Sequence, residues 1–286
     1  MSAIVIGKED INLTLGGNIA FNRTRIESLG IPPDTLLVNG LYEPRSYYFG
    51  ANISRGNQLN FPINIFVEGE ETSLIYGFET NGIYQTEDAD FTEGRVPGDI
   101  RIVDQNGDGV IDGRDRTVIG NPNPDFVYGF NLSFVYKRFT LTALINGVYG
   151  NDIVNANLIR LGTPEGQFSN IIPAAYHEAW RPDKPSNTYP RIGYTEVGTL
   201  AIPDRVVEDG SFIRLNNVTL GYDVPLESFL GRVNVYVSGQ NLATWTGYSG
   251  YNPEVTSFLY TGLINGVDFN GAPNARNFLA GINITF

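Results

Sequence analysis

The most chemically distinctive stretch of the sequence is an acidic segment that has the spacing of a calcium-binding loop. Calcium takes about six to eight oxygen ligands, and a loop of about 12 residues supplies them from positions 1, 3, 5, 7, 9 and 12, with a glycine at position 6. Gly109 stands at that sixth position. The predicted ligands are Asp104, Asn106, Asp108, the backbone carbonyl of Val110, Asp112 and Asp115.

Two features distinguish this segment from an EF-hand. The last ligand position holds Asp115 instead of glutamate, and the shorter side chain favours weaker binding. The flanks, Ile100 to Val103 and Thr117 to Gly120, have extended rather than helical character. We therefore expect an affinity in the extracellular class of about 10⁻⁴ to 10⁻³ M. The alternative is a loop of Asx turns whose carboxylates are solvated.

Catalytic chemistry has little support in the sequence. His177 is the single histidine, which excludes multi-histidine metal centres, and its neighbours Tyr176 and Glu178 form no nucleophile arrangement. The chain has no cysteine, so a disulfide framework and a thiolate metal site are also excluded. The formal net charge of −12 argues against binding of nucleic acid, because phosphate contact needs a basic surface. We predict that the chain is not an enzyme.

Aromatic residues between the predicted strands are candidates for ligand binding. Flat rings pack against the C–H faces of sugars, while neighbouring polar side chains bond to the hydroxyls. Packing within the loops is the alternative for all of them, and for Trp245, which follows a strand, an interfacial position is favoured. The candidates are Trp180, Arg181, Tyr189, Tyr248 and Tyr251.

The elements that must position these residues are β-strands, because apolar residues recur at every second position. Lys137 and Arg138 are predicted to form the turn of a tight hairpin. Six strands are predicted with this alternation, Ile11 to Asn22, Phe126 to Lys137, Phe139 to Asn146, Ser211 to Tyr222, Val233 to Gln240 and Asn277 to Phe286, and two weaker candidates are Pro62 to Val67 and Thr72 to Gln85.

The pattern predicts an all-β fold, specifically part of an antiparallel transmembrane β-barrel with about seven strands in this chain. No apolar run approaches the ~18 residues that a spanning helix needs. Short links, Lys137 to Arg138 and Pro225 to Gly231, alternate with long ones, which is typical of an outer-membrane barrel whose long loops are extracellular. The predicted long loops are Gln85 to Pro124, Gly150 to Gly210 and Thr246 to Arg276.

The chain is expected to be one part of a larger barrel. About seven strands are fewer than the eight or so of the smallest closed bacterial barrels, and open strand edges are not tolerated in lipid. Met1 to Glu9 lacks the pattern of a secretory signal. We therefore expect further strands to complete the barrel.

Several motifs in the same order resemble the SusC/RagA branch of TonB-dependent outer-membrane transporters. The resemblance extends from about Gly69 to the end of the chain, with asparagine at position 252 where that family usually has aspartate. The matching segments are Pro97 to Phe126, which includes the Asp104 loop, Tyr128 to Phe130, Gly147 to Asp152, Trp180 to Pro182, Tyr189 to Arg191, Val207 to Leu215, Gly239 to Leu242 and Tyr248 to Val255.

The resemblance implies a carboxy-terminal portion of a barrel of about 22 strands around an amino-terminal plug. Neither the plug nor the earlier strands are expected within residues 1–286. It also implies import of oligosaccharides or peptides across the outer membrane, with a SusD-like lipoprotein over the mouth and energy from TonB, ExbB and ExbD. Besides this transporter, the residues leave open a secreted calcium-binding module for glycan binding or adhesion, and a hydrolase.

Overall fold

The computed structural model describes residues 2–38, 41–52, 61–88, 90–92, 94–162, 170–194, 202–225, 232–254 and 262–285. No helix among these residues is long and apolar enough to cross a bilayer. Short helices lie at α1 (Ala156–Leu161) and α2 (Pro173–His177), and 3₁₀ turns at Gly113–Asp115 and Asp204–Val206. The strands are β1 (Ser2–Lys8), β2 (Ile11–Ala20), β3 (Asp34–Val38), β4 (Leu41–Arg45), β5 (Tyr47–Phe49), β6 (Asn64–Val67), β7 (Leu74–Phe78), β8 (Thr80–Ile83), β9 (Ile100–Ile102), β10 (Arg116–Gly120), β11 (Phe126–Tyr136), β12 (Phe139–Tyr149), β13 (Asp152–Asn155), β14 (Val207–Asp209), β15 (Phe212–Val224), β16 (Arg232–Thr246), β17 (Val267–Asp268) and β18 (Asn277–Thr285).

One seven-stranded antiparallel sheet dominates the fold, in the order β1-β2-β11-β12-β15-β16-β18. The six strands predicted from strong alternation all belong to it, and β11 and β12 pair from Phe126 with Tyr149 to Tyr136 with Phe139. Lys137 has φ 53° in the turn between them, which confirms the tight hairpin. Phe286 and most of the Pro225 to Gly231 link lie outside the described residues.

The composition of this sheet differs from the sequence prediction in two places. Ser2–Lys8, which was not predicted as a strand, is an edge strand that pairs with β2. The weaker candidates, Pro62 to Val67 and Thr72 to Gln85, do contain β6, β7 and β8, but these short strands pair in separate small sheets. They are only four or five residues long, well below the ~10 residues that a bilayer requires.

The two faces of the large sheet differ in chemistry. The register places apolar side chains side by side on one face, as for Leu15 with Leu132 and Leu132 with Ala143. Many remain exposed, and Phe278 is 78% exposed. Among the described residues, Phe212 is the one buried hydrophobic side chain that lies in the seven strands. The apolar face therefore has no protein partner in the described part of the chain.

Aromatic rings lie at both ends of this apolar face. At one end the rings of Phe139 and Tyr222 are 4.7 Å apart, and at the other end those of Phe126 and Tyr149 are 5.0 Å apart. The 11-residue strand β11 is about 34 Å long at ~3.4 Å per residue. A tilt of about 40° reduces this to roughly 26 Å along the normal, close to the ~25 Å apolar band of transmembrane barrels with their aromatic girdles.

The connections at the two ends of the strands have very different lengths. At one end, short connections span residues 9–10, 137–138 and 225–231. At the other end, long connections span residues 21–125, 150–211 and 247–276. This arrangement confirms the short-link, long-loop asymmetry, with a first long connection that begins earlier than predicted. The long connections contain the small sheets and a buried core, which includes Phe61, Ile75, Val154, Ile202 and Val267.

Polar contacts hold the long connections together where they leave the sheet. The Asp152 carboxylate accepts a hydrogen bond from the backbone N–H of Asn121 at 2.7 Å, and the Asp152 N–H donates to the Asn121 carbonyl at 2.7 Å. The Ser211 hydroxyl accepts from the N–H of Gly150 at 2.9 Å. Residues of several family-like motifs thus contact one another here.

A nearly buried arginine joins the third long connection to the sheet. Arg214, on β15, is 5% exposed and donates to the Asn252 amide oxygen and to the Thr244 hydroxyl, each at 2.9 Å. Its guanidinium also pairs with Glu254 and lies 5.1 Å from the centre of the Phe212 ring. Asn252, which departs from the family pattern, still supplies an oxygen acceptor, while Glu254 supplies the negative charge.

We expect arginine on the apolar face to destabilise the protein in a bilayer far more than arginine on the opposite face. Leu132→Arg places a charge near the middle of the apolar band and should lower the free energy of unfolding in lipid by about 2–4 kcal/mol. The adjacent Ser133→Arg faces the other way and serves as the matched control. Urea titration of the intact protein in lipid vesicles, followed by heat-modifiable migration, measures both, and equal losses would contradict the assignment of the faces.

We expect Arg214→Met to detach residues 247–254 from the sheet. Removal of the guanidinium leaves Asn252 and Glu254 without their donor, and the loss should be about 2–3 kcal/mol, below the value for a fully buried pair because Glu254 is partly exposed. Faster proteolysis of residues 247–254 is the measurement. Asn252→Asp keeps the acceptor and should remain resistant, so equal cleavage of both variants would argue against this anchor.

Candidate functional site

The Asp104 to Asp115 loop lies between β9 and β10, and its side chains bond to its own backbone. The Asp104 carboxylate accepts from the N–H groups of Gly107 and Gly109, both at 2.7 Å. Gly109 has φ 82°, so the sharp turn predicted at the sixth position is present. The remaining bonds are Asp108 N–H to Asn106 Oδ1 at 2.8 Å, Val110 N–H to Asp108 Oδ1 at 2.9 Å, and Gln105 and Asp112 N–H to the Asp115 carboxylate at 3.0 and 2.8 Å.

A guanidinium provides positive charge inside this loop. Arg114 lies 2.9 Å from carboxylate oxygens of both Asp108 and Asp112. Across the described ranges, no three acidic or histidine side chains converge in the manner of a metal centre. The loop as described is therefore a set of Asx turns in which Arg114 balances two of the carboxylates that were predicted as ligands.

The local environment moves the carboxyl pKa values in opposite directions. Hydrogen bonds from backbone N–H groups, chiefly that of Gly109, lower the pKa of Asp104, and the hydrogen bond from Arg114 lowers the pKa of Asp112. Burial raises the pKa of Asp115, because desolvation outweighs its backbone hydrogen bonds, chiefly those from Asp112 and Gln105. Asp104 and Asp112 are thus held in the ionised form that a hard cation needs.

Three of the predicted aromatic-site residues lie in one short segment. The Trp180 N–H donates to the Tyr189 carbonyl at 3.0 Å, and the Trp180 indole N–H donates to Gln85 Oε1 at 2.9 Å. Trp180 is 6% exposed, so its ring faces protein, while the Arg181 guanidinium lies 5.8 Å from the centre of the Tyr176 ring. In this arrangement Trp180 positions the segment, and direct ligand stacking by it stays a prediction.

The other predicted aromatic residues have contrasting environments. Tyr248 is buried, and its hydroxyl donates a hydrogen bond to the Asp268 carboxylate at 2.7 Å. Burial is the main cause that raises the pKa of Tyr248, and the hydrogen bond to Asp268 raises it further. Tyr251 is 79% exposed and Trp245, at the end of β16, is 56% exposed. The Tyr251 ring is therefore accessible, and ligand binding by it stays a prediction, whereas the Tyr248 ring packs against protein.

Tyr189 also borders a cleft among the long connections. Its ring lies 5.5 Å from the Arg205 guanidinium, which donates to the Thr188 carbonyl. The cleft has a volume of about 360 Å³ and is lined by residues from β8, β9, the end of α1 and the 3₁₀ turn at Asp204–Val206. Sequence reasoning did not identify Arg205, because it lies 16 residues from Tyr189 with no motif linking the two. His177 is exposed at the end of α2.

Comparison with known proteins finds relatives that are all TonB-dependent receptors. No family model matches the chain. TonB-dependent receptor P3 of Formosa agariphila is 36% identical over 247 residues, which are 81% of this chain and 24% of that receptor. TonB-dependent receptor SusC of Bacteroides thetaiotaomicron is 29% identical over the whole chain, corresponding to 26% of its own length.

Solved structures show the same fold. A structure of the RagAB peptide transporter is similar over 100% of this chain, which corresponds to 28% of the transporter chain. The TM-score is 0.71 and the sequence identity is 21%. The RagAB peptide importer in the open-open state gives a TM-score of 0.70 at 22% identity. These relatives are receptors and transporters, which confirms the prediction that the chain is not an enzyme. The chain belongs to the SusC/RagA family of TonB-dependent outer-membrane receptors, and it spans about a quarter of the length of the curated relatives it matches.

Proposed function

We propose that this chain forms part of the wall and mouth of an outer-membrane transporter that imports oligosaccharides or peptides together with a SusD-like lipoprotein. The observation that carries the proposal is the large sheet. Its apolar face has no protein cover among the described residues, and all three long connections leave from the same end of its strands. A bilayer covers such a face, and a mouth needs such loops. Similarity to the receptor SusC supports a role in transport, and similarity to the RagAB peptide transporter supports the peptide class.

Energy would come from TonB, ExbB and ExbD acting on the complete receptor. The part within the chain supplies a surface for lipid, a polar face and the loops that meet the lipoprotein. A secreted calcium-binding adhesion module is the alternative, and it requires a water-soluble monomer. The exposed apolar face disfavours it, because an exposed patch of this kind promotes association in water.

We expect the intact receptor to fractionate with the outer membrane, to need detergent for extraction and to co-purify with a lipoprotein. Deletion of the receptor gene should abolish uptake of its substrate, while a strain with the gene restored should regain it. Radiolabelled oligosaccharides and peptides supplied to both strains provide the measurement. A compact, water-soluble particle obtained without detergent would instead support the adhesion module.

We also propose that the Asp104 to Asp115 loop binds calcium. Its ligand spacing, the turn at Gly109 and the lowered pKa values of Asp104 and Asp112 support the proposal. The cation would replace the charge of Arg114 between Asp108 and Asp112, so the arginine side chain must move away when the ion binds. Bound calcium would rigidify the loop beside the predicted mouth.

Calcium should protect this loop from proteolysis. At a concentration about ten times the dissociation constant, the population of open loop and hence its cleavage should fall roughly tenfold. Asp108→Asn should remove the protection, whereas Asp183→Asn, an exposed acid outside the motif, should retain it. Cleavage that is the same with calcium and with a chelator would leave the Asx-turn loop as the correct interpretation.

A further inference from the structure

A cavity of about 390 Å³ lies within the first long connection, between the hairpin of β3 and β4 and the 3₁₀ turn at Gly113–Asp115. Its volume is within the range of ~300 to 1,000 Å³ that small-molecule sites occupy. The lining residues come from β3, β4, β5, β7, the 3₁₀ turn with its N-cap and the start of β10. These elements all belong to one connection, so the cavity is bounded by parts of the loop layer rather than by the wall of the barrel.

The cavity is lined by an arginine whose charge has no carboxylate partner. The Arg116 guanidinium lies 5.1 Å from the centre of the Phe49 ring and 5.4 Å from the centre of the Tyr76 ring. Its Nε donates to the Gly113 carbonyl at 3.0 Å, and this is the one hydrogen bond of the side chain in the described part of the chain, which also gives it no ion pair. The two terminal NH₂ groups therefore keep their donors.

The two aromatic rings hold this guanidinium in place before any ligand binds. A guanidinium is attracted to an aromatic ring through its flat face, while its N–H donors project from its edge. Because the side chain is already ordered, binding at its edge costs less conformational entropy than binding to a mobile surface arginine. The edge of Arg116 is thus suited to a bidentate hydrogen bond with an anion.

A nearly buried hydroxyl next to the arginine also lacks a partner. Tyr76 is 4% exposed, and its hydroxyl makes no hydrogen bond in the ranges that the structure describes. Burial raises the pKa of Tyr76 to about 12, and the nearby charge of Arg116 opposes this shift only in part. The hydroxyl therefore stays protonated at neutral pH and can donate. A buried polar group without a partner is costly, and an acceptor in the cavity would remove this cost.

The charges around the cavity favour a ligand with a negative charge. Among its described lining residues, Arg114 and Arg116 stand against one acid, Asp112. Arg114 already lies 2.9 Å from the Asp112 carboxylate, so the charge of Arg116 is the one left over. Asp34, outside the lining, interacts with Tyr47, whose pKa is raised first by burial and then by this carboxylate. The unused groups of Arg116 are donors only, which requires acceptors on the ligand.

Apolar side chains in the same lining favour an organic anion over an inorganic one. Leu36 is 4% and Leu37 is 2% exposed, and both contribute to the cavity together with Phe49. These side chains can cover a carbon skeleton, while the planar guanidinium matches the two oxygens of a carboxylate. Inorganic phosphate has no apolar body, and near neutral pH it carries more negative charge than one guanidinium balances.

We propose that this cavity binds the carboxylate group of a small organic anion. The carboxylate oxygens would accept from the terminal NH₂ groups of Arg116 and from the Tyr76 hydroxyl, and the carbon skeleton would pack against Leu36 and Leu37. The carboxy terminus of a peptide and a uronic acid share this chemistry. The inference concerns binding in the loop layer and does not depend on import through the barrel.

The test measures binding to the intact receptor in detergent by isothermal titration calorimetry. Two probes carry a carboxylate, the tripeptide Ala-Ala-Phe and galacturonic acid, and each has a neutral counterpart, the tripeptide amide and galactose. Inorganic phosphate is the fifth probe. At least one carboxylate probe should bind about tenfold or more tightly than its neutral counterpart, because only the carboxylate forms a charge-assisted pair with Arg116.

Arg116→Gln removes the unpaired charge and should weaken binding of the carboxylate probe about 10- to 100-fold, while binding of the neutral counterpart stays the same. Arg45→Gln is the matched control. Arg45 lies in the same hairpin, pairs with Glu43 and does not line the cavity, so this variant should bind as the wild type does.

Tyr76→Phe removes only the unpartnered hydroxyl and should weaken binding of the carboxylate probe about fivefold. The variant should fold at least as well as the wild type, because no hydrogen bond to protein is lost. Tyr48→Phe makes the same change at a position that is 54% exposed and outside the lining, and binding should change less than about twofold. Heat-modifiable migration verifies that each variant is folded.

The outcomes separate this site from other binding to the receptor. Selective loss in Arg116→Gln and Tyr76→Phe supports it, and preference for the tripeptide or for galacturonic acid identifies the source of the carboxylate. Carboxylate probes that bind no more tightly than their neutral counterparts, or losses that are equal in Arg116→Gln and Arg45→Gln, overturn the site. Tighter binding of phosphate than of either carboxylate overturns the class of ligand. Since uptake is not measured, a negative result leaves the transport proposal intact.

Discussion

The structure depends on the hydrogen-bond ladder of the seven-stranded sheet. Each antiparallel pairing fixes which side chains are neighbours, and a shift by one residue would exchange the apolar and polar faces. In hydrocarbon there is no water to satisfy a free N–H or C=O, so the ladder must be complete wherever lipid covers the strands. The apolar side chains of this sheet, such as Leu132 and Phe278, lie together on the face that contacts the hydrocarbon of the bilayer.

This arrangement inverts the usual location of a hydrophobic core. The buried apolar residues, including Ile75, Val154 and Val267, lie in the long connections. These connections form a small folded layer at one end of the strands of the large sheet. That layer is joined to the sheet by polar contacts, notably Arg214 with Asn252 and Glu254. A layer with its own core can present a defined surface to ligands and partners, which an unstructured loop of the same length could not do.

The Asp104 loop and the polar face illustrate two ways in which polar groups are managed. In the loop, the carboxylates accept hydrogen bonds from the local backbone, and Arg114 supplies a compensating charge. On the polar face, the hydroxyls of Thr219 and Ser238 lie 2.8 Å apart and bond to each other across two strands. The first arrangement favours a stable loop conformation, while the second adds a side-chain hydrogen bond to the backbone ladder between β15 and β16.

The sequence by itself determined the six strongly alternating strands, the turn at Lys137, the unequal connections and the family, because these are carried by local periodicity and by ordered motifs. The spacing of the Asp104 loop was also visible, although the contact of Arg114 with two of its carboxylates was not.

Only the tertiary structure decided that Ser2–Lys8 joins the large sheet, that β6 to β8 do not, and that Trp180 is buried against its own chain. The same holds for the neighbouring hydroxyls of Ser133, Thr142 and Thr219 on the polar face, which come from three strands and are aligned by the register between those strands. Alternation within one strand specifies a face, but the pairing of neighbouring strands is what places two side chains at the same height.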